Sequence, residues 1–174
     1  MRKLTVGDPR TAGTQIGPVI NAAQLEKILG YIELGRAEGA TLAEGGKRAE
    51  ASTAGHFLRP TLFTESSNAM RINREEIFGP VAAVIRVSGY DEALEVANDT
   101  PFGLSSGICT TSLKFANHFR LNVRSGLTMV NLPTAGLDYH VPFGGVKASS
   151  FGPREQGRYA VDFYTSTKTA YIGY

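Results

Sequence analysis

Residues 81–131 read VAAVIRVSGYDEALEVANDTPFGLSSGICTTSLKFANHFRLNVRSGLTMVN, and their alternation decides the fold. VAAVIRV, LSSGICTT and GLTMVN are short apolar runs of strand length. Between them YDEALEVAND, with Asp91 as its expected cap, and SLKFANHFRLN, with Phe115, Ala116 and Phe119 on one side, carry helical spacing. Strands alternating with helices build right-handed βαβ units. The expected class is therefore α/β, a mainly parallel sheet with helices on both faces.

Upstream, Asn21 and Gln24 have capping-box spacing, and Leu25, Ile28, Leu29 and Ile32 follow at i, i+3, i+4 and i+7, the mark of a helix burying one face. Gly39 is placed to end that helix, and ATLAEGG reads as a strand running into a turn. GHFLRPTLFTES reads as extended, with Pro60 arguing against a central strand. Downstream, residues 132–160 form a loop-rich stretch dense in Gly, Pro and Ser, with a helix expected around REQGRYAVDFY. The tail YTSTKTAYI alternates like a strand.

Composition narrows the function. The 174 residues suit one main core; 42% are hydrophobic and 20% charged, as in ordinary globular chains. Twenty glycines exceed the usual share of about 7% and gather at turns. The net charge of +2 is dispersed, without the basic block that a nucleic acid would attract, so no nucleic-acid partner is expected. No run reaches the about 18 apolar residues of a membrane span, and MRKLTVGDPR lacks a signal peptide's apolar region; a cytoplasmic protein without a membrane partner is expected.

Candidate chemistry is sparse. Cys109, the one cysteine, falls inside an expected strand with no adjacent base, and reads as a buried structural thiol. Asp138 and His140 would share one side of an extended segment, the minimum for a carboxylate–base pair, with Ser149 or Ser150 as nucleophile only if the loop folds back. Three scattered histidines give no metal-ligand spacing. PFGGVKASSFG departs from the P-loop pattern and reads as a Gly-permitted tight turn with Phe143 packed beneath it, with Lys147 and Arg154 open between a ligand contact and a solvated position. EEIFGP, residues 75–80, sets two carboxylates before an aromatic and a Gly-Pro turn: either a solvated acidic turn or a carboxylate that accepts hydrogen bonds from ligand hydroxyls.

Taken in order, VGDPRTAGTQIGPVI, LEKILGYIELGRAEGATLAEGG, RPTLF, EEIFGPV, ANDTPFGLSSGI, VNLP, PFGGVKASSFGPREQG and STKTAY resemble the aldehyde dehydrogenase superfamily over nearly the whole chain. PTAGLDYHVPFGG and SSFGPREQGRYA look most like the branch that oxidises 2-oxoglutarate semialdehyde (2,5-dioxovalerate). The resemblance implies oxidation of an aldehyde to an acid: a thiolate attacks the carbonyl, hydride passes to NAD or NADP, and water hydrolyses the thioester. It implies Glu76 and Phe78 as cofactor-binding residues, with Glu75 a solvent-facing neighbour, and Phe143 and His140 in the substrate pocket. The same resemblance implies residues 1–165 as a partial catalytic domain and 166–174 as a C-terminal oligomerisation strand, making a homo-oligomer. The family's nucleophilic Cys, general-base Glu, oxyanion-hole Asn and most of its dinucleotide-binding domain lie upstream of the segment resembling VGDPR. No catalytic residue is therefore expected in this chain, which would be inactive alone; the alternative expectation is a noncatalytic, self-associating module.

Overall fold

The computed structural model describes residues 1–136 and 138–174. Contacts divide the chain into two units, Met1–Val87 and Ser88–Tyr174, in place of the single main core expected from length.

In the first unit, helix α1 (Ala22–Ala37) starts where the capping signal puts it: the Asn21 side chain accepts the Gln24 backbone N–H at 2.8 Å. It stops at Glu38, followed by Gly39 at φ 98°. Leu25, Ile28 and Ile32 are fully or almost fully buried and pack with Ala40, Leu58, Phe63 and Ile72, with Leu29 half-buried against them. Strands β1 (Thr41–Glu44), β2 (Thr61–Thr64) and β3 (Val81–Ala83) form a sheet in that order, β1–β2 antiparallel and β2–β3 parallel. A one-turn helix α2 (Arg71–Arg74) lies between β2 and β3 and contributes Ile72 to the core.

Contrary to the reading of Pro60, β2 is the central strand. The proline sits one residue before the strand, so its missing N–H removes no ladder bond, and the paired residues begin at Thr61. Buried Thr61 is satisfied on both sides: its hydroxyl donates to the Arg59 carbonyl and accepts from Gly46 N–H, each at 2.9 Å.

The second unit holds α3 (Tyr90–Asn98), β4 (Ser105–Ile108), α4 (Leu113–Asn122) and β5 (Leu127–Val130). β4 and β5 pair in parallel from Ser105↔Leu127 to Ile108↔Val130, with α4 as the crossover. This is the βαβ unit that the alternation predicts. Two smaller expectations change. α3 is capped at Gly89, with Asp91 in its first turn instead. Cys109 is exposed, because β4 ends at Ile108 and the thiol falls just past it. A short α5 (Ala160–Tyr164) follows a turn of 3-10 helix, and residues 165–174 carry no strand within the chain.

Among the described residues, no helix is long and apolar enough to cross a membrane. Two glycine replacements should move stability in opposite directions. A Cβ on Gly79 would stand 2.5 Å from Ile28 Cδ1 in the core, so Gly79→Ala is expected to destabilise by about 1–3 kcal/mol. A Cβ on helical Gly30 meets nothing within 4 Å, so Gly30→Ala should stabilise by about 0.5–1 kcal/mol. Urea unfolding midpoints measure both.

Candidate functional site

The first unit places EEIFGP along one stripe of α1. Gln24, Lys27 and Tyr31, at i, i+3 and i+7, each reach the loop. The Gln24 side-chain amide donates to the carbonyls of Ile77 (2.9 Å) and Phe78 (3.0 Å). The Lys27 ammonium donates to the Glu76 carbonyl at 3.3 Å, and the Tyr31 hydroxyl donates to Glu75 Oε2 at 2.6 Å. From α2, the Arg71 guanidinium grips the same carboxylate with two bonds, Nε to Oε1 at 2.6 Å and Nη2 to Oε2 at 2.9 Å.

Glu75 is therefore not the solvent-facing neighbour expected of it: its carboxylate anchors the loop, because Arg71 lies one helical turn before it. The bonds from Arg71, then from Tyr31, lower its pKa to about 2, and the same bond to Glu75 raises that of Tyr31. Glu76 differs. Its side chain is exposed and accepts no hydrogen bond from the described residues. Phe78 is 73% exposed with φ at 56°, a left-handed conformation that costs a non-glycine residue about 1–2 kcal/mol and persists only where its surroundings hold it there. The Gln24 amide and the contact of Gly79 with Ile28 provide that hold. A groove of about 420 Å³ lined by Lys27, Gly30, Tyr31, Leu34 and Arg71 runs along the same stripe.

The second unit builds PFGG by cross-ties. Phe143, half-buried, exchanges two backbone bonds with Glu155, at 2.7 and 2.8 Å. The Arg154 guanidinium donates to the Gly145 carbonyl, and Gly145 N–H donates to Ser150 Oγ at 2.7 Å. The Lys147 ammonium donates to the carbonyls of Asn98 (2.8 Å) and Thr100 (3.1 Å), while Ser149 Oγ accepts from Gly103 N–H at 2.9 Å. Lys147 and Arg154, left open by the sequence, are structural ties: Lys147 between the TPFG and PFGG segments, Arg154 within the latter. The two serines are occupied by backbone N–H groups, so neither is a free nucleophile.

His140 lies exposed in a turn with its ring edge-on to Tyr139 at 5.5 Å. Asp138 and His140 make no hydrogen bond to each other, so the extended geometry that would align a carboxylate–base pair is absent. Asn131, in VNLP, ties the ends of β4 and β5: its amide accepts from Thr110 N–H and donates to the Thr110 carbonyl, both at 2.8 Å. Among the described residues no cluster of three or more His, Cys, Asp or Glu side chains is placed to hold a metal.

With both loops described, comparison with known proteins identifies the class. Residues 1–170 match the sequence model of the aldehyde dehydrogenase family. The alpha-ketoglutarate semialdehyde dehydrogenase of Haloferax volcanii is 49% identical over 163 residues, covering 92% of this chain and 34% of its own length. The betaine aldehyde dehydrogenase of Brucella anthropi is 43% identical over 173 residues, covering 98% of this chain and 35% of its own. Among solved structures, the NAD+ complex of aldehyde dehydrogenase from Bacillus cereus superposes with a TM-score of 0.90 at 37% identity, covering 98% of this chain and 34% of that one. The chain belongs to the aldehyde dehydrogenase family, a family of oxidoreductases, and spans about a third of the length of these relatives.

Four residues that the sequence did not connect with the first loop carry it: Gln24, Lys27, Tyr31 and Arg71. The three on α1 sit at helical spacing beside the apolar stripe, but their targets lie 44 to 54 positions away, and Arg71 sits four positions before Glu75 in a helix of one turn. The Glu75 anchor has a direct consequence. Its folded pKa of about 2 lies below its ordinary 4.5, so its contribution to stability is complete above pH 4.5 and lost as pH falls through about 2. Carboxyl titration of Glu75 by NMR should show a midpoint near 2 that moves up toward 4.5 in Tyr31→Phe and Arg71→Gln. A wild-type midpoint near 4.5 would contradict the anchor.

Proposed function

We propose that these residues are the C-terminal portion of an NAD(P)-dependent aldehyde dehydrogenase that oxidises an aldehyde to its carboxylic acid, with 2-oxoglutarate semialdehyde as the favoured substrate. The observation that carries this reading is the division of labour in EEIFGP: Glu75 anchors, while the Glu76 side chain, two positions before an exposed Phe78, has no partner among the described residues. A free carboxylate next to an apolar ring fits one edge of a nicotinamide nucleoside, whose hydroxyls need acceptors and whose base needs a flat apolar neighbour. Similarity to a relative named for alpha-ketoglutarate semialdehyde supports the substrate.

In this reading Glu76 orients the nicotinamide ribose by accepting from its hydroxyls, and Phe78 packs beside the nicotinamide and excludes water. Bound, NAD(P) supplies the hydride acceptor. Phe143 lines the substrate pocket, and His140 meets a polar end of the substrate. Residues 1–165 form part of the catalytic domain, an α/β fold with a mainly parallel sheet and helices on both faces. Residues 166–174 are the oligomerisation strand of a cytoplasmic homo-oligomer; support comes from Tyr171 and Ile172, 96% and 89% exposed in a segment of strand-forming residues without a ladder. The same exposed tail favours the second reading, a noncatalytic module that self-associates.

The chain alone should produce no reduced cofactor from a semialdehyde with NAD or NADP, followed by absorbance. Turnover above a blank, lost in Cys109→Ala, would overturn this. Deleting residues 166–174 should reduce the sedimenting mass of any oligomer to that of the monomer; an unchanged mass rules out the tail as the interface.

A further inference from the structure

We propose that Gln24, Tyr31 and Arg71 are positioning residues for the cofactor edge, fixing the backbone of residues 75–78 so that Glu76 and Phe78 face the nicotinamide nucleoside. The inference rests on the cofactor reading above. It follows from how the loop is held at successive points. Tyr31 and Arg71 grip the Glu75 carboxylate, and Gln24 grips the carbonyls of Ile77 and Phe78. Glu76 lies between these grips, with its own carbonyl bonded to Lys27 and its carboxylate unengaged by any described residue.

The geometry exceeds what core packing needs. Gln24 and Arg71 are outside the core that Leu25, Ile28 and Ile32 supply from the neighbouring stripe of α1; Tyr31 packs partly against that core, and its hydroxyl reaches past it to Glu75. Their bonds end on the segment that carries the free carboxylate and a left-handed Phe78. Removing them should loosen the loop while leaving the core closed, so that cofactor affinity falls before stability does.

The test uses the intact enzyme that carries these residues. Tyr31→Phe and Gln24→Ala should each raise the dissociation constant for NADH about tenfold, the equivalent of one or two lost hydrogen bonds. The KM for the aldehyde should stay near wild type, and the thermal midpoint should fall by no more than the loss of one or two partly exposed hydrogen bonds accounts for. Amide hydrogen exchange across residues 76–79 should quicken in both variants, and Glu75→Gln, which keeps an acceptor for Tyr31, should retain more NADH affinity than Glu75→Ala. If Glu76→Ala weakens NADH binding while Tyr31→Phe and Gln24→Ala leave it unchanged, the positioning role is overturned. If Glu76→Ala itself leaves NADH affinity unchanged, the cofactor reading fails and takes the positioning role with it.

Discussion

The contact between helix α1 and the loop at residues 75–80 is the constraint on which the first unit depends. Two stripes of one helix do different work there: Leu25, Ile28 and Ile32 close the core, while Gln24, Lys27 and Tyr31 hold the loop. The stripes are coupled at Gly79, where the absence of a Cβ lets the loop backbone approach Ile28. Because burial fixes the rotation of α1 about its axis, the polar stripe can aim only at one place. A change in the core would reach the loop through that rotation, without touching the loop itself.

The second unit solves a similar problem with different chemistry. Its glycine-rich segment has no long helix to lean on, so Lys147, Arg154, Ser149 and Ser150 bond backbone groups directly. Long cationic side chains suit this use, since their stems cross the loop and their heads reach carbonyls at some distance along the chain. Phe143 is thereby set on a backbone fixed on both sides, at Glu155 and at Gly145.

Much of this was legible in local sequence, and the rest was not, for identifiable reasons. The α1 cap at Asn21, its apolar stripe, and the β4–α4–β5 unit depend on short-range spacing and were read correctly. The EEIFGP and PFGG motifs located both loops. What sequence missed depends on contacts between distant segments: Glu75 reads as a solvated acid until Tyr31, forty-four positions away, is seen beside it. Pro60 misled because a proline one residue before a strand obstructs nothing, and Cys109 because β4 ends at Ile108, three residues before the run LSSGICTT does. The tail has a strand's composition but no ladder partner among the described residues.

The central claim is that the loop anchored by Glu75 presents Glu76 and Phe78 to a nicotinamide cofactor. The most direct measurement is a crystal structure of the intact enzyme with NAD+ bound. The account predicts the Glu76 carboxylate within about 2.5–3.0 Å of the nicotinamide ribose hydroxyls, with the Phe78 ring against the nicotinamide. A bound cofactor with Glu76 turned to bulk solvent and Phe78 packed elsewhere would contradict it.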